Sequence, residues 1–225
     1  PRLQPVAILG QQILQPPVIT SSHRAQCHKA VGDWANWVHA GKITAMESIA
    51  SKSDIRKLVI SARPQPSLGL GANLVRLALE LDVQSIASYV PMPSEPDVSE
   101  FNAWVHALGK TLLLPRIEGD DLVFASGDLE ASSLGILEPT GEAKPISSAQ
   151  LILLPALAVD KSGNRLGKGK GYYDRALRSV TGIPKYAVVF DSEVLEQIPS
   201  ESHDVWVTGA VTPTAIHHFR ASAIS

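Results

Sequence analysis

One stretch of the chain, residues 151–180, limits the possible folds more than any other. It begins with a wholly apolar run, Leu151 to Leu154, and continues into a loop from Asp160 to Asp174 that is rich in glycine and positive charge. A helix is predicted next, from Tyr172 to Val180. Short apolar strands are typical of sheets covered on both faces. The stretch therefore predicts a buried strand that leads into a loop and then a helix.

The loop has the composition of an anion-binding site. It contains an arginine and two lysines that alternate with three glycines: Arg165, Lys168, Lys170, Gly167, Gly169 and Gly171. Glycine lets the backbone approach a ligand closely, and a helix that begins after such a loop directs N–H groups at an anion. The pattern predicts that a phosphate chain binds here; a solvated basic turn is the alternative.

The spacing excludes the two commonest phosphate motifs. Only three residues separate Gly163 from Gly167, and Gly169 stands where a Walker A sequence has serine or threonine. The rhythm of the glycines also differs from the dinucleotide-binding fingerprint. Asp160 and Asp174 bracket the cations, so a divalent metal bound to the phosphates is compatible with the pattern.

The residues from Asn164 to Asp174 closely resemble the signature of the 5-formyltetrahydrofolate cyclo-ligase family, also called methenyltetrahydrofolate synthetases. They read Asn-Arg-Leu-Gly-Lys-Gly-Lys-Gly-Tyr-Tyr-Asp. Weaker similarity extends from about Lys52 to Pro213. The resemblance implies cyclisation of 5-formyltetrahydrofolate to 5,10-methenyltetrahydrofolate, driven by ATP with Mg²⁺ and releasing ADP and phosphate.

The resemblance also assigns roles to individual residues. Those expected to act on the transferred phosphoryl group are Arg165, Lys168 and Lys170. Those expected to bind ATP are Lys52, Arg56, Arg165, Leu166, Gly167, Lys168, Gly169, Lys170, Gly171, Tyr172 and Tyr173. Those expected to contact the folate are Val90, Glu95 and Tyr172, and Asp174 is expected to bind the metal. In such a reaction the protein positions groups and neutralises charge, so no protein nucleophile is needed.

The sequence departs from the family pattern at one position. The family commonly has an aspartate that helps to bind magnesium where this chain has Thr208. Asp174 would then hold Mg²⁺ almost alone with phosphate oxygens and water, which that ion tolerates, unless Asp204 takes the role. The histidines beside this segment, such as His203, are interpreted as surface residues because no metalloprotease or nucleophile-elbow motif accompanies them.

Composition excludes several classes of protein. The net charge is −2 and the pI about 6.4, which does not favour nucleic acid or an anionic membrane as a partner. No apolar run approaches the ~18–20 residues that span a bilayer. Cys27 is the only cysteine, so an internal disulfide is excluded. A cytoplasmic monomer with a small-molecule substrate is expected, with polyglutamylated folates as further candidate substrates.

The first 45 residues differ from the remainder of the chain. They carry four basic residues against one acid, a charge of +3. We interpret residues 1–45 as an extension of unknown role and residues 46–225 as the cyclo-ligase-like domain. Disorder of the extension and an upstream start ahead of Met46 are both compatible with the sequence. A docking arm is the rival interpretation.

From Lys52 onward, helix and strand patterns alternate. Helices are predicted at 54–62, 71–81, 98–108 and 194–197, and strands at 86–90, 111–114, 122–125, 186–190 and 205–207. This order predicts a single three-layer α/β domain with a mostly parallel, Rossmann-like sheet. Sugar-phosphate isomerases and CoA transferases share that architecture without the glycine–lysine block. An enzyme of that kind, or a family member that binds folate or nucleotide without catalysis, is the alternative function.

Overall fold

A mostly parallel sheet of eight strands forms the centre of the molecule. The computed structural model describes residues 51–63, 67–132 and 135–219, which belong to one compact unit of the chain. The extension predicted for residues 1–45 lies outside the described residues, and the domain boundary at residue 46 stays a prediction.

The described residues form four helices and thirteen strands. The helices are α1 (Lys52–Ala62), α2 (Leu70–Glu80), α3 (Ser99–Ala107) and α4 (Tyr172–Leu177). The strands are β1 (Ser85–Ala87), β2 (Thr111–Glu118), β3 (Asp121–Ala125), β4 (Leu129–Ala131), β5 (Leu137–Pro139), β6 (Ala143–Lys144), β7 (Leu151–Pro155), β8 (Ala158–Asp160), β9 (Arg165–Leu166), β10 (Lys185–Val188), β11 (Val194–Leu195), β12 (Gly209–Val211) and β13 (Ile216–His218). Two 3₁₀ turns cover Ile146–Ser148 and Asp191–Glu193.

The order of strands in the large sheet is β13-β12-β10-β7-β1-β2-β3-β6. The five strands from β12 to β2 run parallel. At the edges, β13 pairs antiparallel with β12, β3 pairs antiparallel with β2, and β6 pairs antiparallel with β3. The predicted α/β class with a mostly parallel sheet is therefore confirmed.

Strand β7 shows why the sheet lies between two layers of helix. Leu151 and Leu153 belong to the apolar cluster that contains the buried faces of α2 and α3. Ile152 and Leu154 belong to the cluster on the other face, with Leu177 of α4. Successive side chains of a strand point to opposite faces, so an apolar run without alternation buries both of them, at roughly 1.5–3 kcal/mol for each side chain.

Helix α2 is placed by its apolar spacing and by the glycine that precedes it. Leu70, Leu74 and Leu77 are fully buried on one face, the spacing of an amphipathic helix. Gly69 has a φ of 93°, and a Cβ there would lie 2.6 Å from the carbonyl oxygen of Pro213. Only glycine fits this close approach, so α2 is fixed against the segment that follows β12.

The predicted loop after β7 is in part a small sheet. Strand β8 pairs antiparallel with β9 and parallel with β11. The buried carboxylate of Asp160 accepts hydrogen bonds from the amides of Ser162, Asn164 and Ile198 and from the Asn164 side chain. Asp160 therefore closes the β8–β9 turn, and the structure does not support a metal role for it.

Helix α1 packs on this small sheet. Ile55 and Val59 contact a buried cluster that includes Leu157, Leu166 and Ile198. The packing brings the first turns of α1 next to the glycine-rich loop, although α1 and the loop are separated by over a hundred residues.

Two predicted elements are wrong. The segment predicted as a helix at 194–197 contains strand β11, because Val194 and Leu195 hydrogen-bond to β8. The strand predicted at 205–207 lies further on, at Gly209–Val211; the amide of Val207 instead donates to the carbonyl of Gly163. In both places, pairing with a distant segment overrides local propensity. Among the described residues, no helix is long and apolar enough to cross a membrane.

Candidate functional site

A cavity of about 700 Å³ lies at the carboxyl ends of β1 and β7, where ligands bind in sheets of this kind. All residues that the family resemblance assigns to ATP, folate or metal line this cavity. These residues are Lys52, Arg56, Val90, Glu95, Arg165, Leu166, Gly167, Lys168, Gly169, Lys170, Gly171, Tyr172, Tyr173 and Asp174. The fold thus brings them together; their individual roles remain predictions.

We call the ionisable residues of this set, with Asp204, the charged part of the lining: Lys52, Arg56, Glu95, Arg165, Lys168, Lys170, Asp174 and Asp204. Six of these residues form three ion pairs with each other, and two of the pairs, Lys52–Asp204 and Glu95–Lys168, join segments that are far apart in the chain. Such pairs hold side chains in place, since each partner restricts the rotamers of the other.

Arg165 and Asp174 form the most enclosed of these pairs. Nη2 of Arg165 lies 2.6 Å from Oδ1 of Asp174, which also accepts a bond from the amide of Val205. Only 4% of the Arg165 side chain is exposed, and its Nε is buried without a hydrogen-bond partner in the described part of the chain. An unpaired guanidinium N–H is costly, so Arg165 keeps a donor for an oxygen ligand.

Glu95 and Lys168 form a second pair. Nζ of Lys168 lies 2.6 Å from Oε1 of Glu95, and the amide of Met92 donates to Oε2 of the same carboxylate. Glu95 is buried while Lys168 is exposed. The residue that the resemblance assigns to the folate is thus in contact with one that it assigns to ATP.

Lys52 forms a third pair at the start of α1. Its ammonium lies 2.7 Å from Asp204 and 3.2 Å from Glu201. Partial burial opposes the charged form of Asp204, but hydrogen bonds from Lys52 and from the amide of Glu201 outweigh it and lower the pKa of Asp204. For Lys52, burial favours the neutral amine, but the carboxylates of Asp204 and Glu201 outweigh it, so the pKa of Lys52 is raised. Both groups are charged near neutral pH.

Arg56 organises the backbone of the glycine-rich loop. Its Nε donates to the carbonyl of Gly167 at 2.8 Å. Gly169 has a φ of 92°, and a Cβ there would contact the Arg56 guanidinium at 3.5 Å. The left-handed conformation requires glycine at this position, and the loop can then wrap closely around the arginine.

Lys170 has no ion pair or hydrogen bond to its ammonium among the described residues. Its carbonyl accepts a bond from Arg175, whose guanidinium also lies 5.1 Å from the centre of the Tyr172 ring and donates to the carbonyl of Asp120. The backbone of Lys170 is therefore held while its charge stays available to a ligand.

Tyr173, in the first turn of α4, lines the cavity. Burial, and then the negative charge of Glu95, raise the pKa of the Tyr173 hydroxyl. Its ring meets Phe124 edge-on at 6.4 Å. The hydroxyl therefore remains protonated at any physiological pH and is a hydrogen-bond donor at the cavity wall.

Sequence reasoning did not identify the apolar part of the lining, which we define as Pro115, Ile117, Leu122 and Ile136. Ile117 and Leu122 are paired across the β2–β3 hairpin. The alternation of apolar residues along β2 and β3 could have indicated this surface. It was missed because β2 was predicted to end at Leu114. Glu138 and Glu201 also line the cavity and were not identified.

The expectation for Thr208 is wrong. Its hydroxyl accepts from the amide of Lys185 and donates to the carbonyl of the same residue, at the amino end of β10. The cavity lies at the opposite, carboxyl ends of the parallel strands. Thr208 is therefore away from the candidate metal site, while Asp204 lines the cavity and is bound to Lys52.

Asp174 fits a weakly held magnesium ion. Within the described residues its hydrogen bonds involve only Oδ1, and no group of three or more His, Cys, Asp or Glu residues is arranged to hold a metal. Mg²⁺ commonly uses one or two carboxylates and takes its other ligands from phosphate and water. A single carboxylate beside three cations is compatible with an ion that arrives on a phosphate chain.

Comparison with known proteins identifies relatives of the chain. A model described as the 5-formyltetrahydrofolate cyclo-ligase family matches residues 70–213. The chain is 38% identical to the 5-formyltetrahydrofolate cyclo-ligase of Mycolicibacterium smegmatis over 148 residues, which cover 60% of this chain and 76% of that protein. It is 29% identical to the Mus musculus 5-formyltetrahydrofolate cyclo-ligase over 175 residues, with coverages of 69% and 86%.

Solved structures agree. The NMR structure of Aquifex aeolicus 5,10-methenyltetrahydrofolate synthetase has a TM-score of 0.64 at 28% identity and covers 77% of this chain and 95% of that chain. The Mycoplasma pneumoniae 5,10-methenyltetrahydrofolate synthetase has the same fold, with a TM-score of 0.60 at 20% identity and coverages of 73% and 99%. Since the family model spans more than half of the 225 residues, the chain belongs to the 5-formyltetrahydrofolate cyclo-ligase family.

Proposed function

We propose that the protein catalyses the ATP- and Mg²⁺-dependent cyclisation of 5-formyltetrahydrofolate to 5,10-methenyltetrahydrofolate, with release of ADP and phosphate. The observation that carries the proposal is one cavity that combines the family's glycine–lysine block with Glu95 and an apolar hairpin. We also propose that it acts as a monomer in the cytoplasm on folates, including those with polyglutamate chains, without nucleic acid or membrane partners.

The phosphate-binding role falls to the cations of the loop. Lys170 offers an unpaired ammonium, and Arg165 offers a buried N–H that has no partner in the described chain. Lys168 is paired with Glu95, so a phosphate chain that takes over Lys168 would release a carboxylate oxygen for the folate. These cations neutralise the charge that develops as the γ-phosphoryl group leaves ADP and bonds to the formyl oxygen.

Ring closure follows the phosphoryl transfer. N10 of the folate attacks the activated formyl carbon and loses its proton, and phosphate leaves with the former formyl oxygen. The chain contributes orientation: Glu95 accepts hydrogen bonds from the pterin edge, and the Tyr172 and Tyr173 side chains contact the ring system. The attack is intramolecular because N10 and the formyl group belong to one folate, and holding the two in a reactive conformation lowers its entropic cost.

Magnesium would be held by Asp174 and by phosphate oxygens, and when bound it would neutralise charge on the transferred group. Arg165 holds the Asp174 side chain in position through Oδ1, which leaves Oδ2 without a hydrogen bond in the described part of the chain. Because Asp174 is the one carboxylate proposed to bind the metal, we expect the metal requirement to depend strongly on ATP concentration.

The test is an assay of purified protein with 5-formyltetrahydrofolate, ATP and MgCl₂, followed by the absorbance of the methenyl product and by release of phosphate. Equal amounts of both products and no reaction without ATP are expected. Binding of ATP without turnover would indicate a non-catalytic family member. Turnover of a sugar phosphate without ATP would instead support the isomerase alternative.

A further inference from the structure

We propose that Arg63 is a positioning residue for the cavity: its guanidinium orders the segment that carries Glu95. Arg63 comes directly after α1, and in the described part of the chain it is not among the residues that line the cavity. The inference rests on the proposed function, because Glu95 is the residue proposed to orient the folate.

Arg63 is anchored by a buried carboxylate. Its Nε lies 2.6 Å from Oε1 of Glu193, and its Nη2 lies 3.3 Å from Oε2. The two side chains are 4% and 2% exposed, respectively. Glu193 also accepts a bond from the amide of Phe190, and the guanidinium lies 5.6 Å from the centre of the Phe190 ring. The arginine is therefore held in one orientation.

That orientation directs the other N–H groups at two carbonyls beside the cavity. Nη1 donates to the carbonyl of Ser94 at 2.7 Å, and Nη2 donates to the carbonyl of Ala156 at 2.5 Å. Ser94 directly precedes Glu95, and Ala156 lines the cavity just after β7. One guanidinium thus joins the end of α1, the segment after β1, the end of β7 and the turn after β10.

The planar fork of arginine is required for this arrangement. A lysine ammonium can replace the charge beside Glu193, but its donors radiate from one nitrogen and cannot reach the two carbonyls in the same way. The carboxylate of Glu95 is held by the amide of Met92 and by Lys168. Without the bond to Ser94, the backbone on one side of Glu95 loses its hydrogen bond to Arg63, and the bond from the Tyr89 hydroxyl to the Pro96 carbonyl remains on the other side.

A contribution to stability alone does not explain the buried pair of Arg63 and Glu193. A buried ion pair can often be replaced by apolar side chains of similar volume without loss of stability. The two carbonyl acceptors, by contrast, belong to segments that carry cavity residues, and this placement is what the proposal explains.

The experiment compares Arg63→Lys with a control variant, Val105→Ala. Val105 is fully buried in α3 and, within the described chain, is not among the residues that line the cavity, so the control lowers stability without removing a side chain from the lining. We expect Arg63→Lys to raise the KM for 5-formyltetrahydrofolate about tenfold and the KM for ATP by less than about twofold, because a misplaced contact affects mainly the ligand that it positions. Val105→Ala should leave both KM values close to wild type.

Amide hydrogen exchange supplies a readout that does not need turnover. The amide of Glu95 donates to the carbonyl of Met92, so it should exchange slowly in the wild type and in Val105→Ala. In Arg63→Lys, exchange in the peptide that covers residues 92–95 should become faster. If Arg63→Lys does not fold, Glu193→Gln takes its place, since it keeps one acceptor for the arginine and should change exchange in the same direction.

The proposal would be overturned if Arg63→Lys kept the exchange rate and the folate KM of the wild type. It would also be overturned if Val105→Ala changed these two quantities as much as Arg63→Lys does. Absence of turnover in the wild type would contradict the proposed function alone. The exchange comparison would then still decide whether Arg63 orders the segment.

Discussion

The charged and apolar parts of the cavity lining are built in different ways. The charged part is assembled from α1, the segment after β1, the loop around β9 and the segment near Asp204, and ion pairs hold these pieces together. The apolar part comes mostly from one hairpin, β2–β3, whose shape is set by its own strand pairing. The positions of the charged side chains therefore depend on packing between distant segments, whereas the apolar surface depends mostly on two strands that are adjacent in the chain.

Substitutions in the two parts of the lining should also affect different kinetic constants. Loss of a cation should affect the chemical step, because the charge that it stabilises develops during phosphoryl transfer. Loss of an apolar side chain should affect binding, because burial of apolar surface contributes alike to ground state and transition state.

The largest expected effect comes from Lys170→Ala. Its ammonium has no partner in the described chain, so the substitution removes a free charge and little packing. We expect turnover at saturating ATP to fall by about 10²-fold, with an unchanged melting temperature. Lys57→Ala is the matched control, since Lys57 is a largely exposed lysine on α1. Turnover close to wild type in Lys170→Ala would remove this residue from the phosphate site.

Ile117→Ala tests the apolar part. We expect a rise in the KM for 5-formyltetrahydrofolate of about tenfold with turnover nearly unchanged, the effect of a few lost methylene contacts. Ile60→Ala, at a position that is 56% exposed on α1, is the control with the same chemical change. A fall in turnover at an unchanged KM would mean that the hairpin takes part in the chemical step.

The Lys52–Asp204 pair predicts a smaller effect, on stability. The pKa of Asp204 is lowered in the folded protein, so the pair stabilises above the ordinary aspartate value of 3.8 and loses this contribution as the pH falls through the lowered value. Asp204→Asn should lower the melting temperature at pH 7 by about 2–4 °C, corresponding to ~1 kcal/mol.

Below the lowered pKa of Asp204, wild type and Asp204→Asn should melt at the same temperature. Thermal unfolding at several pH values measures this, with Asp128→Asn as an exposed control. A difference that persists in acid would show that the charge of Asp204 is not its source.

The smallest expected effect is that of Thr208→Asp on magnesium. Thr208 bonds to Lys185 at the far end of β10, so the magnesium concentration for half-maximal rate should not change. The melting temperature should fall slightly, because aspartate cannot donate to the Lys185 carbonyl. A lower magnesium requirement would place position 208 at the metal after all.

The sequence alone indicated the layered α/β class and the glycine–lysine block that resembles the family signature. The apolar run of β7 and the spacing of Leu70, Leu74 and Leu77 express burial directly, because strand and helix periods are local properties of the chain. The block around Lys170 was recognisable because its glycines and cations are contiguous.

The pairing of the charged side chains, and the positions of strands β11 and β12, are evident only from the tertiary structure. Nothing near Val194 or Leu195 indicates that they pair with β8, since a strand forms there only when its partner is present. In the same way, no local pattern joins Glu95 to Lys168 or Arg63 to the carbonyl of Ser94. Hydrogen bonds and ion pairs of this kind act over a few ångströms, so they depend on which distant segments the packed core brings together.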